Sequence, residues 1–327
     1  MSEFYRGKNR DFIFPHGIVP PRWFPEYDMV MVRLYPSSIQ GVARATEVAM
    51  RVTALAKILD PWPIGISLFE LTGAQDIISS TTSVSFTAGA PHIQFDMRDA
   101  KLSPGGYIAL ISPCAKDGVE CEGKAVKKIE LCRGLLSGAL GYSAAHELVW
   151  EFRTKQQPDQ IGFVSNPVER HNGAEFHVFL NTSPLETLIE RMCLDPASGM
   201  AGRLQTSARF LAAADELRDP QARFMNAWIA LEVLVGKSPA PLAALRRVWG
   251  SREPDVPDLI RRTRNKLVHE GRTRVIAPCE EVLMRAAIFQ ALADAYEVEG
   301  LVSLPDWVTW NTADTQQTPE HSRPQSA

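Results

Sequence analysis

Six basic residues, Arg261, Arg262, Arg264, Lys266, Arg272 and Arg274, stand in one short run against a single acid, Glu270, in a chain whose net charge is -3. It is the one strong local inversion of charge in the sequence. A basic helix is most often a solvated face, but this run also holds Asn265 and His269. An imidazole exchanges a proton near neutral pH, so His269 can take one from a ribose 2′-hydroxyl or give one to a leaving oxygen. A guanidinium gathers two phosphate oxygens while negative charge builds on them, a task that suits Arg264. Asn265 can orient either group. Together they suit RNA cleavage without a metal: no carboxylate cluster or His/Cys pattern would hold a catalytic ion, and no cofactor is called for.

Helical geometry limits how these residues can meet. At about 100° per residue Arg261, Asn265 and His269 share a stripe, whereas Arg264 sits about 140° around from His269. A long flexible side chain, or unwinding of the last turn before Gly271, would bring the two to one phosphate. Two copies of the helix across a two-fold axis offer another route, with an arginine of one and a histidine of the other flanking a shared groove. Arg261, Arg262 and Lys266 are the expected contacts to neighbouring RNA phosphates. Glu232 interrupts the apolar run ALEVLVG, where a carboxylate is costly unless paired. An ion pair with Arg264 or Arg261 that holds the motif helix is the favoured role, ahead of direct proton transfer.

The elements that must position these residues follow from spacing. Residues 1–27 mix aromatics and prolines without a period and read as an extended arm. From 28 to 182 the chain reads as an α+β domain with a mixed or antiparallel sheet. Strand-like runs begin at Met29, Ile64, Ser83, His92 and Tyr107, the last four as neighbours in one sheet, and three more end near Leu180. Two helices interrupt them, one from Gln40 to Leu59 and one from Lys124 to Leu140 with Val126, Ile129, Cys132, Leu136 and Leu140 along one side. From Ser183 strand signals nearly vanish, and 183–310 reads as an all-α bundle. Asp219-Pro220 has the chemistry of a helix start, Phe224, Trp228, Leu231 and Val235 form one apolar stripe, and Gly236 ends it. The motif helix is expected from Pro257 to Glu270. Residues 311–327, rich in Thr, Gln, Pro and Ser, read as a disordered tail.

The run RNKLVHEG, Arg264 to Gly271, resembles the motif of HEPN-family ribonucleases: Arg, a polar residue, three more residues and His near the end of a helix in a helical bundle. The upstream run RFMNAWIALEVLVG, Arg223 to Gly236, resembles the Trp-x-x-Leu/Ala-Glu helix of the Apea-like HEPN subgroup. Both runs in the right order, about thirty residues apart, are more specific than either alone. The resemblance covers residues 185–305, about a third of the chain, and leaves the N-terminal part unassigned. It implies a HEPN-like bundle in which His269 transfers the proton, Arg264 contacts phosphate and Asn265 positions. It also implies a homodimer with a composite site and an endoribonuclease that leaves a 2′,3′-cyclic phosphate and a 5′-hydroxyl. The setting it implies is bacterial antiviral defence or toxin activity, with an antitoxin or sensor as a further partner and the N-terminal domain sensing or restraining. The alternative is a non-catalytic HEPN module for dimerisation or nucleotide binding, in which His269 is dispensable.

Composition is compatible with this reading and excludes others. A length of 327 residues, 45% hydrophobic and 22% charged, allows roughly two domains of ordinary globular make-up. The slightly acidic balance offers no bulk attraction to nucleic acid or an anionic membrane, so a polyanion site has to be a local patch. Five cysteines without a close pair read as reduced thiols, and the charged N-terminus lacks the apolar run of a signal peptide. The expected location is the cytoplasm, with no membrane partner. Other candidates fall away on spacing: His146-Glu147 lacks the second histidine of a metalloprotease helix, Ser103 to Gly106 reads as a turn, and His171 and His177 read as surface residues.

Overall fold

The computed structural model describes residues 4–6, 13–15, 24, 26–37, 42–71, 75–87, 90–102, 105–140, 150–155, 179–196, 198–237, 239–252, 255–271 and 276–304. Within them the architecture is α+β, with an antiparallel sheet beside a set of helices. Strands β1 (Phe4–Arg6) and β2 (Ile13–Pro15) pair antiparallel within the segment expected as an extended arm. Three-residue strands are too short to leave a period in the sequence.

The main sheet is built from β3 (Met29–Ser37), β4 (Gly65–Leu71), β7 (Gly105–Lys116) and β9 (Trp150–Lys155), in the order β4-β7-β3-β9. All three pairings are antiparallel, and β8 (Val119–Glu120) adds a short pairing to β7. The inner strands β3 and β7 are buried on both faces: Val30, Val32 and Leu34 on one side and Met31 and Tyr35 on the other are inaccessible. Strands β5 (Gln75–Thr87) and β6 (Ala90–Leu102) do not join this sheet, contrary to the expectation from sequence, and instead form a separate two-stranded ribbon. Ser79, Ser80, Thr81, Thr82 and Ser83 follow one another in β5, which leaves it little apolar side chain to bring to a sheet core.

Helices α1 (Val42–Leu59) and α2 (Glu122–Leu140) flank the sheet, and α2 also packs on α4 (Gly199–Glu216) and α8 (Pro278–Ala295). The spacing of α2 predicts one apolar side, but the structure buries nearly every residue from Ile129 to Leu140. Gly134 makes this position tenable, because a Cβ there would lie 1.8 Å from the Ala208 carbonyl oxygen on α4. Arg133 and Lys128 are buried in the same helix and are therefore paired: Arg133 meets Glu130 at 2.8 Å and Glu216 at 2.9 Å, and Lys128 donates to the Ala56 and Asp60 carbonyls. The hydrophobic core consequently runs without a break from Met31 to Leu304, across the composition change at Ser183.

The remaining helices are α3 (Thr182–Leu194), α5 (Pro220–Val235), α6 (Ala240–Trp249) and α7 (Val256–Glu270). Local chemistry explains their limits. Asp219 accepts from the Gln221 and Ala222 amides at the start of α5, Pro220 needs no amide partner there, and Gly236 ends the helix at a φ of 94°. Asp255 caps α7 through the Asp258 amide at 3.2 Å, and Gly271 closes it in the left-handed region at a φ of 59°. Among the described residues no single helix is long and apolar enough to cross a membrane.

Candidate functional site

Helix α7 shows the bundle a narrow face made by Val256, Ile260, Thr263 and, partly buried, Leu267. These positions recur at three and four residues, so the basic and polar positions between them are turned outward. Arg261, Arg262, Asn265, Lys266 and His269 are all exposed, and Arg264 is half-buried at the margin of the packed face. The helix packs chiefly on α6 and, more lightly, on α5.

Arg264 is the residue that joins α7 to α5. Its Nη2 donates to Glu232 Oε1 at 3.5 Å and its Nη1 to Asn265 Oδ1 at 3.3 Å, while Nε is buried with no hydrogen-bond partner among the described residues. The structure thus brings Glu232 and Arg264 together as a partly buried pair. At that length and exposure the pair contributes about 0–1 kcal/mol, so it orients Arg264 more than it stabilises the fold.

A pocket of about 380 Å³ opens beside this pair between α5, α6 and α7. Trp228, Pro241 and Leu242 supply its apolar wall; Lys237, Arg261 and Arg264 bring three cations to one carboxylate, Glu232, with Asn265 completing the lining. Trp228 is 4% exposed, and its indole N–H has no hydrogen-bond partner among the described residues. The sequence placed Trp228 in the packing stripe and in the Trp-x-x-Leu/Ala-Glu run but in no site, and passed over Lys237, Pro241 and Leu242. The available signal was the four-residue step from Trp228 to Glu232, which puts an aromatic ring and an awkward carboxylate on one side of α5.

The structure does not bring every expected residue to this pocket. His269 is in the last turn of α7 and does not line it. The helix stays regular through Glu270, so the last turn is not unwound in a way that would carry His269 toward Arg264. Arg261 and Arg262 share the Asp258 carboxylate at 2.7 and 2.6 Å, which offsets part of their charge. Hydrogen bonding from Arg261 holds the Asp258 carboxyl below its ordinary value, and Asp258 therefore stays charged in neutral solution. Lys266 and His269 have no ion pair among the described residues. Arg272, Arg274, His146, Glu147, His171 and His177 lie outside the described residues. Among those described, no three His, Cys, Asp or Glu side chains gather as a metal site.

Comparison with known proteins adds no name to this geometry: no protein-family model, no curated protein and no solved structure matches the chain. The helical arrangement and its site are therefore the basis for a functional reading.

Proposed function

We propose that the chain is an RNA endonuclease of the HEPN class that works as a homodimer, without a metal, and leaves a 2′,3′-cyclic phosphate and a 5′-hydroxyl. The observation that carries this reading is the division of labour along α7. Arg264 is held by Glu232 at the packed margin, while His269 stands exposed one and a half turns further on. A single regular helix separates the two side chains by about 140°, so a second copy supplies the simplest way to set both on one phosphate.

In this mechanism an imidazole takes the proton of the ribose 2′-hydroxyl as the 2′-oxygen bonds to phosphorus. The bond from phosphorus to the 5′-oxygen breaks, and that oxygen takes up a proton. Arg264 holds the non-bridging oxygens as their charge grows, and Asn265 orients the guanidinium through its 3.3 Å contact. Arg261, Arg262 and Lys266 contact flanking phosphates. By analogy with the class, the setting is antiviral defence or toxin activity in the cytoplasm, with the sheet and its helices sensing or restraining the site.

The test is cleavage of RNA in excess chelator by the wild type and His269→Ala, with affinity measured at the same salt. The expected result is loss of cleavage, by about 10²-fold or more, with affinity retained, since general acid–base catalysis contributes about 10²–10⁴ in rate. Full activity in His269→Ala, or wild-type activity that chelator removes and magnesium restores on an RNA of unchanged fold, overturns the mechanism.

A further inference from the structure

Resting on the RNA-cleavage reading, we infer that the pocket between α5, α6 and α7 is a subsite for one unstacked guanine of the substrate, with Glu232 as the residue that reads the base. Its volume of about 380 Å³ falls in the lower part of the range for small-ligand sites, about 300–1,000 Å³. Sequence-specific RNA recognition relies on bases splayed out of the helix, stacked on aromatic or guanidinium planes and read along their edges. Trp228 and Leu242 offer the apolar surface, and Arg264 offers a plane beside it.

The hydrogen-bonding inventory selects the base. The acceptor at the pocket is Glu232, whose Oε1 takes Arg264 at 3.5 Å and whose Oε2 makes no hydrogen bond among the described residues. A carboxylate accepts and does not donate. Guanine presents two adjacent donors, N1–H and N2–H, which a carboxylate can take as a pair. Adenine and cytosine each present one exocyclic amine to the carboxylate, and uracil presents one imino N–H. Guanine therefore matches the Glu232 carboxylate best. Lys237 and Arg261 supply charge for the attached phosphate.

Binding of 5′-GMP, 5′-AMP, 5′-CMP and 5′-UMP to the full chain, measured by calorimetry at one salt, tests the assignment apart from cleavage. Wild type is expected to bind 5′-GMP at least tenfold more tightly than the other three. Glu232→Gln, which exchanges one acceptor oxygen for a donor, should lose that preference. Leu242→Trp, which fills the pocket from a half-buried wall, should lose 5′-GMP binding while its melting temperature stays near wild type. Equal binding of the four nucleotides, a preference retained in Glu232→Gln, or unchanged binding in Leu242→Trp overturns the proposal. RNA cleavage by wild type without nucleotide binding also overturns it and leaves the nuclease reading standing. Selective 5′-GMP binding in a protein that cleaves no RNA supports the guanine site and removes the nuclease reading instead.

Discussion

Removing the Arg264 guanidinium takes away the 3.5 Å contact to Glu232, the 3.3 Å contact to Asn265 and, on the proposed mechanism, the charge that meets phosphate. The first two losses are small, since the side chain keeps 27% of its exposure and a pair in contact with water contributes about 0–1 kcal/mol. The third differs between binding and reaction. A guanidinium stabilises the transition state more than the ground state, so Arg264→Ala should lower the single-turnover rate by about 10² or more and affinity by a smaller factor. Arg264→Lys keeps the charge and loses the two-pronged geometry, so affinity should recover while rate does not. Lys266 is exposed and has no ion pair among the described residues, so on the proposed reading it serves only to neutralise phosphate: Lys266→Ala should reduce the slope of log affinity against log salt by about one unit or less, as filter binding over a salt series can show.

Helix α2 is the element that joins the sheet to the helices, and its glycine and lysine make opposite demands on that contact. At Gly134 an added Cβ would meet the Ala208 carbonyl oxygen at 1.8 Å, and backbone cannot yield as a side chain tip can. Gly134→Ala should destabilise by about 1–3 kcal/mol or more, as overpacking does. Gly202→Ala serves as the control: nothing lies within 4 Å of its Cβ position in α4, and the substitution should stabilise by about 0.4–1 kcal/mol. Urea denaturation midpoints distinguish the two. Lys128 makes a pH-dependent contribution, because burial lowers its ammonium from 10.5 to about 8. Between those values the unfolded chain binds a proton that the folded chain has released, so stability rises with pH across that window and is lost as pH falls through about 8. Lys128→Met should flatten that part of the melting-temperature profile.

Across the whole molecule, charges between the sheet and the helices form a connected series, from inaccessible Arg285 to exposed Glu216. Arg33 on β3 meets Glu151 at 2.6 Å and Glu130 at 2.5 Å, Glu130 meets Arg133, and Arg133 reaches Glu216 at the end of α4. Beside it Arg285 meets Asp215 at 2.9 Å with both side chains inaccessible, and Glu281 continues to Arg223 at the start of α5. Removing one partner of a buried pair leaves the other charge unmatched, so Arg285→Ala should cost about 3–5 kcal/mol. Replacing both by apolar residues, Arg285→Met with Asp215→Leu, should recover much of that loss. Thermal denaturation of the single and double variants reads the difference. Assembly is the other property at this scale: light scattering should give a dimer under assay conditions, and a fully active monomer would sink the composite site.

Local physical chemistry made several features of this chain legible from its sequence. Asp219, Pro220 and Gly236 marked the ends of α5, because caps act through backbone groups within one turn. The motif run, closed by Gly271, marked a helix from Pro257 to Glu270, within one residue of α7. The cost of an unpaired carboxylate in ALEVLVG pointed to a partner for Glu232 before its position was known. Other features required the assembled chain. Whether β5 and β6 joined the main sheet depended on strand pairing over long separations, and the burial of α2 on several faces depended on helices that follow it by more than sixty residues. The pocket likewise exists only where α5, α6 and α7 converge, since Trp228, Leu242 and Arg264 become neighbours through packing that no local spacing encodes. Caps and periods are short-range properties of a chain, whereas a cavity is defined by which elements meet.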